Sequence, residues 1–176
     1  MLIALCGVVS WVVAEYWIHR VLGHVLRVDN PFRSEHLKHH IEGNYFAPAK
    51  KKALAAVVML PAITAVAWLF LPLTGALLYA SGFLAMYLLY EVNHYGIHAW
   101  PARTAYGRWI ARHHLVHHFN TATKNHAVSF PLFDRLWGTH RAVDQVRVSR
   151  KLAPPWMRAL PGDQWTVSGT TFQLFD

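Results

Sequence analysis

The chain has a single cysteine, Cys6, so neither a disulfide framework nor a cysteine-ligated zinc site can be built from it. Charge is scarce as well. Asp, Glu, Lys and Arg make up 15% of the 176 residues, against about 25% in an ordinary globular domain. What charge exists is unevenly placed: no Lys or Arg precedes Arg20, and none lies between residues 53 and 102. The first apolar stretch lacks a basic leader and a small-residue cleavage site, which argues for a spanning helix over a signal peptide. No internal repeat or low-complexity run stands out.

Apolar residues and histidine fill the space left. Hydrophobic residues reach 54% and mean hydropathy is +0.19, high for a soluble domain and suited to a bilayer. Three spans are predicted, at about 2–20, 53–71 and 75–92, the last two forming a hairpin around Pro72-Leu73-Thr74-Gly75. One crossing plus a hairpin puts residues 21–52 and everything after 92 on the same side. Those segments and the end of the first span hold all 17 Lys and Arg and all 13 His. Basic loops mark the cytoplasmic face. The net charge of +8 is then assigned to anionic headgroups rather than nucleic acid. The expected fold is all-α: an integral membrane helical bundle with a cytoplasmic helical metal-binding cap. One domain, 1–150, is followed by a tail, 151–176, of no assigned role, whose residues 163–176 read as a short strand or a disordered end.

The histidines fall into four groups: His19-Arg-Val-Leu-Gly-His24, His36-Leu-Lys-His39-His40, His94-Tyr-Gly-Ile-His98 and His114-Leu-Val-His117-His118. Positions i, i+3 and i+4 share a helix face. His36, His39 and His40 are therefore expected to converge on one locus, and His114, His117 and His118 on another. His94 and His98 form an i, i+4 pair. His19 and His24 are five apart and share no face of a regular α-helix, so either the backbone is irregular near Gly23 or the two rings serve different loci. Any one group alone fits a solvated helix face; four at span ends and in the adjoining segments point to metal. Imidazole suits Zn, Cu, Fe and Ni, and ten imidazoles exceed one closed zinc site but suit two ions with four or five nitrogens each. Glu15 and Glu91, four residues before His19 and three before His94, are candidates for orienting those rings, with pairing to Arg20 as the alternative for Glu15. His113, His126 and His140 stand outside the pattern as solvated or structural residues, His113 being the candidate substitute ligand or outer partner.

These residues resemble the fatty acid hydroxylase and sterol desaturase superfamily of membrane non-haem di-iron enzymes. HRVLGH at 19–24, HLKHH at 36–40, HYGIH at 94–98, HLVHH at 114–118 and NHAVSFPLFDRLWGT at 125–139 carry the resemblance. It implies two Fe ions, replaceable by Zn during purification, held by His19, His24, His36, His39, His40, His94, His98, His114, His117 and His118. It also implies O2-dependent hydroxylation of a lipid or acyl chain, with electrons from a separate reductase with a ferredoxin or cytochrome b5 type protein. Asp134, Arg135, Gly138 and Thr139 match the family's closing segment as structural residues. Compact size and box order are also similar to bacterial carotenoid hydroxylases, so carotenoid hydroxylation and sterol-type desaturation remain as alternatives. A non-catalytic metal-binding membrane protein is the rival of another class. Histidines at span ends count against a transporter, whose polar ligands belong at the bilayer midplane. The segment after the last box reads Asn125-His126-Ala127, where an aromatic residue and a glycine are common in the family.

Overall fold

A computed structural model describes residues 1–176. Three helical stretches are long and apolar enough to cross a membrane: Leu2–Val25, Ala49–Trp68 and Leu73–Ala99. They correspond to the three expected spans, with the third running seven residues further. The first begins as α1 (Leu2–Trp17) and continues as a π-helical segment (Ile18–Val25). Helix α2 (Pro31–Glu42) follows, started by Asn30, whose side chain accepts a hydrogen bond from the Arg33 N–H, and by a proline at the first turn. Helices α3 (Ala49–Trp68) and α4 (Leu73–Ala99) form the hairpin.

Helices α1 and α4 approach at backbone contact. A Cβ on Gly7 would lie 2.0 Å from the Tyr79 carbonyl oxygen, and one on Gly82 would lie 1.9 Å from that of Ala4. Small residues at a helix crossing are the usual means of such packing in a membrane. Trp11 then wedges against Phe83, Tyr87 and Tyr90. Helix α3 has no buried residue, as expected of a span that faces lipid. Exposed aromatics mark both ends of the bundle, with Trp68 at the hairpin turn and Trp17 and Trp100 at the histidine end.

Beyond the spans lie α5 (Ala105–Phe119), capped by the Thr104 hydroxyl, and the short α6 (Leu132–Leu136). The all-α expectation is then corrected. Strands β1 (Gln145–Ser149), β2 (Gln164–Val167) and β3 (Thr170–Phe175) form a sheet in the order β1-β3-β2, and α7 (Pro155–Arg158) lies between the first two. Residues 163–176 are therefore mostly strand. Strand β3 pairs in parallel with β1, Val146 opposite Phe172, so the sheet joins the two sides of the expected division at 150. The β2–β3 hairpin turns on Ser168 and Gly169, both at positive φ (50° and 81°), which matches the twist of the flanking strands. Alternate residues Val146, Val148, Phe172 and Leu174 are buried and pack on Ile110, Ala111, Leu115 and Val116 of α5. The sheet formed because strict alternation gives it one apolar face, and the back of α5 is the surface that covers that face.

Candidate metal centre

Ten histidines project from four helical segments into two compact groups. His19, His24, His36, His40 and His117 form cluster one; His39, His94, His98, His114 and His118 form cluster two. Within each, the five ligand-capable nitrogens lie within 4.8 Å of one another. All ten residues anticipated from sequence take part, but they are not grouped by box. Each HxxHH box is split: its i, i+4 pair goes to one cluster and its i+3 ring to the other, so His39 parts from His36 and His40, and His117 from His114 and His118. The expectation of one locus per box is thereby corrected.

The π segment answers the question left by His19 and His24. Its wider turn closes i to i+5, as in the bond from Leu26 N–H to the Val21 carbonyl at 2.7 Å. Residues five apart then share a face, and both rings reach cluster one with their Nε2 atoms 3.4 Å apart. Gly23 admits His36 to the same place, since a Cβ there would sit 2.9 Å from the His36 Cδ2. Arg33 binds the carbonyls of Gly23 (3.0 Å) and Leu26 (3.3 Å), satisfying groups that the end of the segment leaves open.

Tautomers show that the clusters suit a cation. His19 uses Nδ1 to donate to the His126 carbonyl, and His117 uses its own to donate to the Lys124 carbonyl at 2.6 Å. Both Nε2 atoms are then bare lone pairs, yet they face each other at 3.0 Å. Two lone pairs cannot hydrogen-bond; a shared positive ion resolves the repulsion. Other Nε2 pairs lie at similar distances: His24–His36 at 2.8 Å, His36–His40 and His40–His117 at 3.1 Å, His39–His94 at 3.0 Å and His98–His114 at 3.1 Å. Nitrogens bound about 2.0–2.1 Å from one ion would be about 3.0 Å apart at right angles and about 3.4 Å at the tetrahedral angle. Burial also keeps the rings neutral, pushing His39 down to about 4 and His40 to about 3, with His36, His114, His117 and His118 well below the ordinary histidine value. Neutral imidazole is the form that binds metal.

The sequence profile of the fatty acid hydroxylase family matches residues 4–139, which include every histidine of both clusters. The chain belongs to the fatty acid hydroxylase family. Among curated fatty acid hydroxylases, it is 26% identical over 147 residues to the dihydroceramide fatty acyl 2-hydroxylase FAH2 of Arabidopsis thaliana, covering 78% of this chain and 60% of the relative. It is 29% identical over 155 residues to the ceramide very long chain fatty acid hydroxylase scs7 of Schizosaccharomyces pombe (82% and 44%). With the fatty acid 2-hydroxylase of Mus musculus it shares 28% identity over 141 residues (76% and 38%). The chain thus spans 60% or less of the length of these relatives. The solved structure of full-length scs7p, in which only the hydroxylase domain is visible, shares the fold with a TM-score of 0.64 and 24% identity, over 80% of this chain and 56% of that one.

Around the clusters of this fatty acid hydroxylase family member, the outer partners differ from those the sequence suggested. Glu15 neither touches His19 nor pairs with Arg20; it accepts hydrogen bonds from the N–H groups of Val128 (3.0 Å) and Ser129 (2.7 Å) and from the Ser129 hydroxyl. It thus holds the loop whose His126 carbonyl orients His19. Glu91 does not face His94 but pairs with Lys52 from α3. His113 is buried and bonded to Asp134 at 2.8 Å, away from both clusters' nitrogens. Asp134 also accepts from the N–H groups of His126 (2.9 Å) and Ala127 (2.7 Å) and from the Thr139 hydroxyl (2.6 Å). Thr139 in turn meets the Tyr16 hydroxyl at 2.8 Å. Burial opposes the charge on Asp134, but its bonds from His113, Thr139 and Ala127 outweigh that and hold its carboxyl below the usual aspartate value.

His126, expected to be solvated or structural, is buried, its ring 5.4–5.5 Å from those of His19, His24 and His117. His140 stacks on His113 at 5.5 Å. The carbonyls of Tyr45, Lys124 and His126, which fix three ring tautomers, carried no sequence signal, because every residue has a carbonyl. A cavity of about 600 Å³ lies at the far end of the spans among Ile3, Cys6, Phe70 and Tyr79; it is lined wholly by apolar residues and lies away from the histidines. A smaller cleft of about 250 Å³ borders His98 between Phe46, Tyr95 and Trp100.

Proposed function

We propose that this protein hydroxylates the acyl chain of a membrane lipid, using dioxygen at a pair of iron ions held by the two five-histidine clusters. The observation that carries the proposal is the convergence of neutral imidazoles whose facing nitrogens include lone pairs fixed by hydrogen bonds on the far side of the ring. His19, His24, His36, His40 and His117 would hold one ion, and His39, His94, His98, His114 and His118 the other. When bound, the ions would supply activation of dioxygen, with two electrons from a separate donor such as a reductase with a ferredoxin or cytochrome b5 type protein. With two protons taken up alongside the two electrons, one oxygen atom would enter the C–H bond and the other would leave as water. The all-nitrogen donor set favours a borderline metal such as iron over magnesium or calcium, which prefer oxygen.

The chain's own residues have three tasks in this scheme. The carbonyls of His126, Lys124 and Tyr45 select the tautomer that presents Nε2 inward. Burial of the rings excludes water and keeps them unprotonated near pH 7. Placement at the ends of the spans lets a lipid chain reach the centre without leaving the bilayer. The names of the relatives, which act on fatty acyl groups of ceramide-type lipids or on fatty acids at position 2, favour such a substrate here. The basic segments beside the histidines favour a cytoplasmic centre.

Elemental analysis of protein in mild detergent, counting iron and zinc separately, tests the centre. Two ions per chain are expected, together with 2-hydroxylated acyl products when lipids and an electron donor are supplied. His39→Ala is expected to remove one ion and abolish hydroxylation while leaving membrane insertion intact. Absence of stoichiometric metal after anaerobic reconstitution with ferrous iron would defeat the proposal.

A further inference from the structure

Residues 140–176 lie beyond the segment matched by the family profile, and the proposed chemistry uses none of them. Their contacts are nonetheless directed at the three helices that carry all five rings of cluster two. On α2, Gly43 ends the helix at φ +63°, and a Cβ there would lie 2.5 Å from the Leu152 carbonyl oxygen, so the Leu152 backbone rests directly on the turn after His39 and His40. On α4, the Trp156 indole N–H donates to the Ile97 carbonyl at 3.0 Å, one residue before His98. That carbonyl is among the last four of the helix, which have no partner within it. On α5, Arg112 donates to the Ser168 carbonyl at 3.1 Å, and the apolar face behind His114 packs on the sheet.

Cluster two needs such support because its rings lack another. A ligating histidine is normally oriented by a hydrogen bond through its second nitrogen. In cluster two, His39 has one, to the Tyr45 carbonyl; the buried His98 ring faces the Gly43 carbonyl without a well-formed hydrogen bond, and the buried His114 Nδ1 has no partner. Where these two rings sit is then decided by where α4 and α5 sit. Cluster one draws two of its rings from the π segment and has tethers of its own at His19 and His117.

We propose that the C-terminal module, residues 145–175, positions the second metal site, with Trp156 as its positioning residue through the cap it places on α4 beside His98. This rests on the reading of the two clusters as metal sites. Removing the indole N–H frees the end of α4 and loosens His94 and His98 together, whereas the ion in cluster one keeps its ligands.

The test is a competitive titration of the full chain in detergent with ferrous iron or zinc against a chelator, reading the number and affinity of bound ions. Trp156→Phe keeps an apolar aromatic ring in the core, smaller than the indole, and drops the N–H. The wild type should bind two ions, and Trp156→Phe should bind one as before and the other about 10-fold or more weakly. Pairing identifies the site: combined with His94→Ala the variant should still bind its one ion at wild-type strength, and combined with His24→Ala it should bind its remaining ion weakly. A wild type that takes up no metal would overturn the metal-centre reading, and this proposal with it. A wild type with two ions, beside a Trp156→Phe variant that holds both at unchanged strength or loses both equally, would overturn this proposal alone.

Discussion

The two histidine clusters have the same donors and the same count, but they are held by opposite means. Cluster one is tied by hydrogen bonds: the 124–129 loop fixes His19 and His117, Glu15 and Asp134 fix the loop, and Arg33 closes the π segment. Cluster two is tied mainly by packing, with α4 and α5 set against a C-terminal sheet and the outer nitrogen of His114 lacking a partner. A hydrogen-bonded cluster is sensitive to single polar atoms. A packed one is sensitive to the position of whole helices, so each can be disturbed without the other.

The largest separation of the two is expected at Asp134. Its carboxylate is fully buried and gathers His113, Thr139 and two backbone N–H groups. Asp134→Ala strands all four, and breaking a buried pair of this kind costs about 3–5 kcal/mol. Thermal unfolding in detergent should record that loss. The variant protein that folds should lose the cluster-one ion, because the His126 carbonyl no longer meets His19. Equal loss of both ions would show that the loop serves the whole centre and would erase the contrast.

A smaller effect is expected at Gly23, where the backbone of the π segment lies against a ring of cluster one. A methyl group 2.9 Å from the His36 Cδ2 must displace either that ring or the segment. Overpacking of this order costs about 1–3 kcal/mol. Gly23→Ala should weaken the cluster-one ion in a chelator titration and leave the cluster-two ion unchanged. Unaltered binding of both would mean that α2 can shift to absorb the methyl.

How much of this was readable in advance depended on the range of the interaction. The spans and the uncharged turn at Pro72 were legible, since apolar runs report burial in lipid directly. So were all ten cluster histidines, whose type and spacing carry the chemistry. Their division was not. On an α-helix the residue at i+4 lies about 40° to one side of i and that at i+3 about 60° to the other; a box therefore fits one site or straddles two, and only the packing of α2 against α5 decides. The π segment was visible solely as an awkward spacing of five between His19 and His24. The sheet was missed because its strands are short and polar on one face, and what buries the other face is α5 (Ala105–Phe119), an element far from Val146 in sequence. Asp134 was read as structural from the closing segment, but its partners come from three separate parts of the chain.

Glu91 carries the smallest expected effect and the sharpest check on reasoning from sequence proximity. Three residues before His94 on a helix, it had the spacing of an outer partner for that ring. Its carboxylate instead meets Lys52, and the pair is partly exposed, 22% for the glutamate and 28% for the lysine. A pair this open to solvent and lipid headgroups contributes little, about 0–1 kcal/mol after screening and side-chain entropy. Cluster two, held by helix packing, should not register its loss, because α4 is fixed at its end by the contacts around Ile97 and along its length by α1. Glu91→Gln should therefore keep both ions at wild-type affinity, keep hydroxylation within about twofold, and shift unfolding by less than about 1 kcal/mol. If the variant lost the cluster-two ion, Glu91 would be orienting His94 after all, and packing would not be sufficient to hold that cluster.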